Sequence, residues 1–181
     1  MTETGTGPLD EPGAPADGGV ADAPSPTAVP PEVHRQLAVD AFNRAWSLMD
    51  LPDRAPEQDD ELIHLAHASR HHWGIVGTPV HRARGEWQVS RVYALLGRAE
   101  PARFHAQRCL DLCEDNGIAG FDIAFAHEAL ARAAAVDGDG PVMNQHLAQA
   151  QELAGQIDDA DDRAVVEADL ATVPAAFAPR T

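Results

Sequence analysis

The chain has 181 residues, 44% of them hydrophobic, with 29 Asp and Glu against 13 basic side chains and a formal charge of −16 at pH 7. Every one of the 13 basic residues is arginine, which excludes Schiff-base chemistry and the lysine of a phosphate-binding loop, since both need a primary amine. So acidic a chain repels phosphate backbones and anionic lipid, which argues against nucleic acid and membranes as partners and for basic proteins, peptides or metal cations.

Residues 1–31 hold seven of the 14 prolines, five glycines and no arginine. A stretch of this composition cannot bury enough surface to offset its ordering entropy, so a disordered acidic tail is expected. Its acids, Glu3, Asp10, Glu11, Asp17 and Asp22, are dispersed; a tether is the plainer reading and an acidic binding tail the other. No basic start leads into an apolar run, and nowhere do about eighteen apolar residues stand in a row. A cytoplasmic protein is expected.

From Pro31 the pattern turns helical, giving an expected domain over 32–174. Pro31 and Glu32 suit a first turn, and Ala38, Ala41, Phe42, Ala45 and Leu48 recur at helical steps until Pro52. A second helix is expected from Gln58 to Trp73, with Asp59, Asp60 and Glu61 complementing its dipole and Gly74 and Gly77 ending it. A third runs from Pro79 to Leu96 and a fourth from Glu100 to Cys113, followed by helices over 120–136, 141–156 and a short one over 160–172 closed by Pro174. Residues 175–181 are expected to be a disordered C-terminal tail. No segment alternates with the period of a strand, and short connections make successive helices antiparallel. The fold class is all-α.

Sliding the third and fourth helices onto the fifth and sixth shows a step of 41 residues: Val89 falls on Leu130, Ser90 on Ala131, Gly97 on Gly138, Cys109 on Ala150 and Cys113 on Ala154. A repeat in this range marks stacked helical hairpins. Over residues 83–116 the chain resembles the tetratricopeptide-repeat family, through Val89, Ser90, Tyr93, Gly97, Ala102, Cys109 and Leu110 at that family's large and small packing positions. The closing proline is absent and the step is 41 residues, longer than the family's own. The resemblance implies a short right-handed solenoid of about three antiparallel hairpins, some seven helices in all, that binds a protein or peptide.

No enzyme motif is complete. His127-Glu128 opens a zinc-protease pattern, but the second histidine position holds Ala131. Four of the nine histidines lie between His64 and His72. At about 100° per residue, Asp60, His64, His67 and His71 share one side of the second helix, opposite Leu62, Leu65, Ala66, Ser69 and Trp73. With Glu86 from the third helix, that stripe is the ligand set a divalent metal (zinc, nickel or copper) accepts; a solvated helix face is the other reading. No other cofactor is implied. His105, Cys109 and Cys113 suit a soft ion by spacing, but the two cysteines share a side with Ala102 and Ala106 and read as core. Glu128 and Arg132 are spaced for a helical ion pair worth roughly 0.3–0.5 kcal/mol. Glu86 lies in an unusually polar run with Arg82, Arg84, Gln88, Ser90 and Arg91.

Two functional readings stand. In one, helices one, three and five present Arg84, Trp87, Arg91, Phe121 and Phe125 to a protein or peptide, aromatic and arginine side chains being favoured at such contacts. In the other, His64, His67 and His71 with Asp60 or Glu86 hold an ion and the chain is a metal-binding protein or metal-dependent enzyme.

Overall fold

A computed structural model describes residues 29–176. They form α1 (Pro31–Met49), α2 (Pro56–Val76), α3 (Pro79–Leu95), α4 (Ala99–Asp115), α5 (Phe121–Asp137), α6 (Gly140–Ala154), α7 (Ala160–Leu170) and a 3-10 turn (Val173–Ala176), and no strand occurs among the described residues. Residues 1–28 of the expected tail, and 177–181 at the other end, lie outside them. Pro31 opens α1, as the expected first turn, and residues 175 and 176 of the expected C-terminal tail belong to the 3-10 turn.

Helix starts follow from local chemistry. Prolines in the first turns of α1, α2, α3 and α6 take positions whose missing N–H would have had no partner. Asp139 accepts from the Val142 N–H at the head of α6, and Asp159 accepts from Asp161 and Asp162 at the head of α7. α2 is longer than expected at both ends and runs through Gly74 before Gly77 caps it. An internal glycine costs only about 1 kcal/mol, which packing of α2 on α1 and α3 overrides.

Neighbouring helices pack in succession, α1 on α2 through α5 on α6, and α3 also reaches α5. α7 folds back onto α5 and α6, and the 3-10 turn closes on α5. With helices on every side, α5 is buried almost all round, and alanines at 124, 126, 129, 131, 133, 134 and 135 let those neighbours approach closely. Larger anchors fill the gaps. Leu62, Val89, Val92, Leu110, Leu130, Val166 and Leu170 are all buried, each worth about 1.5–3 kcal/mol. Polar ties fix the spacing between helices: Ser69 Oγ donates to Ala38 O at 2.9 Å, Gln88 Nε2 to Phe42 O at 3.1 Å and Ser90 Oγ to Ala102 O at 2.8 Å. No helix among the described residues is long and apolar enough to cross a membrane.

Two glycines next to helix ends make opposite demands on the backbone. Gly138 sits in the left-handed region at φ 73°, where a Cβ is strained, whereas Gly155 has φ −62° with ordinary contacts for an added Cβ. Gly138→Ala is expected to lower unfolding free energy by about 1 kcal/mol and Gly155→Ala to raise it by about 0.5 kcal/mol, read from urea denaturation midpoints.

Candidate binding groove

Side chains of α1, α3, α5 and α7, with Cys109 of α4, line an open cavity of about 560 Å³. Of the chain's three Trp, one Tyr and five Phe, two Trp and three Phe line it: Phe42 and Trp46 from α1, Trp87 from α3, Phe121 and Phe125 from α5. Their rings form a continuous floor, with centroids 5.7 Å apart for Trp46–Trp87, 5.2 Å for Trp87–Phe125 and 4.7 Å for Phe121–Phe125, tilted or edge-on as aromatic quadrupoles prefer. Val165 and Ala168 of α7 form the opposite wall, Val165 with half its surface exposed. A second hollow of about 170 Å³ shares Phe42 and Arg84 with the first and adds Val39, Trp73, His81 and Gly85. The two, adjoining at Phe42 and Arg84, are termed the groove.

Ion-paired residues are part of the lining. At the mouth, Arg84 Nε donates to Asp122 Oδ1 at 2.6 Å and Nη2 to Oδ2 at 3.0 Å, while its guanidinium lies 5.8 Å from the Phe121 ring centre. At the far end Arg91 grips Asp169 of α7 through two bonds, at 2.7 and 3.2 Å, and donates to Glu128 at 3.1 Å. Glu128 is fully buried and also receives Arg132 Nε at 2.6 Å and Trp87 Nε1 at 3.1 Å. Arg132 in turn donates to Thr172 Oγ1 at 2.7 Å and Asp169 O at 3.2 Å. Burial pushes the Glu128 carboxyl above its ordinary value, against the pull of Arg132 and Arg91. The expected i,i+4 pair of Glu128 and Arg132 is present, and it is also the buried hub of a network joining α3, α5 and α7.

Glu86, the residue before Trp87 and directed to another side of α3, is the second buried carboxylate. Arg70 and Arg108 donate to its Oε1 at 2.9 and 3.0 Å, and His105 Nδ1 to Oε2 at 2.6 Å. Burial pushes its pKa up, but the His105 bond and the two arginines prevail and hold it at about 2. The polar run on α3 thus divides, Glu86 tying α2 to α4 and Trp87 and Arg91 facing the groove.

The five side chains expected to meet a partner, Arg84, Trp87, Arg91, Phe121 and Phe125, all line the same cavity. The expected metal set does not converge. Asp60 and His64 border an open hollow with Glu57 and Glu61, His67 Nε2 is 3.0 Å from the Tyr93 hydroxyl, His71 lies against His72, and Glu86 is committed to its three donors. Among the described residues no three His, Cys, Asp or Glu side chains come together in a way that could hold a metal ion. A helical stripe aligns Cα positions, but here each ring turned to a different neighbour. Cys109 and Cys113 are buried with Ala83, Ala126 and Leu130. The bond between the thiols, with burial, pushes Cys109 well up.

Sequence reading missed Phe42, Trp46, Asp122, Val165, Ala168 and Asp169. A signal existed for Trp46: the 41-residue step that relates Val89 to Leu130 also relates Trp46 to Trp87, and Trp87 to its acceptor Glu128. Nothing local announces Asp169, which meets Arg91 across 78 residues of chain. No protein-family model, no curated protein and no solved structure matches the chain.

The networks set how stability depends on pH. Burial lowers His67, His72, His81, His127 and His146 below 6.5, so the folded state keeps them neutral. An unfolded chain binds protons first, and stability falls as pH drops through and below 6.5. Glu86 behaves the same way lower down, its contribution being intact above 4.5 and lost as pH falls toward about 2. Urea titrations across this range should show both losses, and Glu86→Gln should remove the lower one. Arg132→Met, which leaves Glu128 buried with one partner fewer, is expected to cost about 3–5 kcal/mol in the same assay at pH 7.

Proposed function

We propose that this chain is an interaction module that takes an apolar or aromatic anchor of a protein or peptide into the groove between α1 and α7. The observation that carries this is the convergence of five aromatic side chains from three helices on one open cavity of about 560 Å³. A site of some hundreds of Å³, mostly apolar with a few fixed polar groups, suits a buried anchor. The anchor's burial would supply affinity, and the ion-paired rim would orient it. The groove is built before any partner arrives, because its arginines are already held by Asp122, Glu128 and Asp169. Little ordering entropy is then lost on binding.

We read the architecture as a tetratricopeptide-like right-handed stack, with α1, α3 and α5 as the inner helices. The 41-residue step, the succession of packed hairpins and the contact of α3 with α5 support this. A cytoplasmic setting fits two free thiols four residues apart in one helix.

The test is selection of peptides from a random display library on the full chain, with Val165→Glu as the discriminating variant. Val165 lines the cavity while half its surface is exposed, so the substitution spares the core. Enriched peptides should share an aromatic or large aliphatic anchor and bind Val165→Glu at least about tenfold more weakly. Recovery of no peptide, or of peptides that bind the variant equally well, would overturn the reading.

A further inference from the structure

The wall of the groove has a charge pattern that narrows the class of partner. On α7, side chains three and four positions apart share a face, so Asp161 and Asp162 stand one turn ahead of Val165 on the stripe that continues through Ala168 and Asp169. Both are exposed, and Asp158 and Asp159 immediately precede the helix. Asp162 acts on the Arg84 guanidinium across the mouth. The two arginines that line the groove are occupied, Arg84 by Asp122 and Arg91 by Glu128 and Asp169. The groove therefore presents an apolar floor whose two arginines are paired, and beside it four exposed aspartates, followed by a half-buried Arg163 that donates to Ile157 O. The chain as a whole, at −16, extends that field.

We propose that the partner is a basic segment, an aromatic or aliphatic anchor with arginine or lysine residues beside it, docked so that the anchor fills the aromatic cavity and the cations lie over Asp158–Asp162. This rests on the groove reading and adds to it a partner chemistry and a direction along the groove. An anionic segment with the same anchor would meet the acidic stripe and be rejected, which makes the stripe a selectivity element. Long-range attraction would also speed encounter and be weakened by salt.

The same peptide selection tests this when its products are measured on the full chain and on two variants, Val165→Glu and the double variant Asp161→Asn/Asp162→Asn. Both aspartates are exposed and Asp159 keeps its capping bonds, so a circular-dichroism melt should match that of the parent. Peptides that depend on Val165 should carry at least two Arg or Lys within about four residues of the anchor, and bind about tenfold more weakly when salt is raised from about 50 to about 300 mM. The double variant should weaken them by about threefold or more, while changing their flanking cations to glutamate should abolish binding. Peptides that need Val165 but show no basic excess, and bind the double variant unchanged, would overturn the charge assignment and leave the groove reading standing. If no recovered peptide needs Val165, the groove reading falls and this inference falls with it.

Discussion

A carboxyl group taken out of water is tolerable only if fixed donors replace its hydration, and the middle of this protein is organised around Glu128 in that situation. Its donors come from Arg91 and Trp87 of α3 and Arg132 of α5, and both arginines also hold α7 through Asp169. The arrangement contributes less as net stability than as geometry. Apolar residues of equal volume often serve as well or better energetically, whereas removal of one partner is severe. What the network fixes is the placement of α7 opposite α1.

That placement makes the groove. Without α7 the aromatic floor of Trp46, Trp87, Phe121 and Phe125 would be an open apolar face; with it the floor becomes a cavity walled by Val165 and Ala168. Trp87 links the two aspects, since its ring packs between Trp46 and Phe125 while its Nε1 donates to Glu128. The hub thus orients the central ring of the floor. Glu86 performs a parallel task on the far side of α3, where Arg70 and Arg108 tie it to α2 and α4. One helix carries both buried acids' connections, one facing the groove and one facing away.

Helical periodicity and punctuation by proline and glycine made the seven helices legible in the sequence, because amphipathic spacing and N-terminal chemistry act locally. The groove was half legible. Arg84, Trp87, Arg91, Phe121 and Phe125 stand out as residue types on α3 and α5, but Asp169 and Val165 belong to it only because α7 folds back, a long-range event that no local pattern encodes. The histidine stripe of α2 does not gather at one point, for the opposite reason. Its spacing is regular, yet His67 turned to Tyr93 and His71 to His72, since a ring's direction is set by its neighbours and not by its register. Glu128 and Arg132 read only as a helical i,i+4 pair because spacing cannot report burial, and α5 is enclosed only once five other elements have packed on it.

The central claim is that partners engage the face between α1 and α7, and amide hydrogen exchange of the full chain with and without a selected peptide measures that directly. The account predicts slowed exchange concentrated in Ala160–Leu170 and in the α1 turns around Phe42 and Trp46, with α2, α4 and α6 unchanged. Protection confined to α2 or α4, with α1 and α7 unaffected, would contradict it.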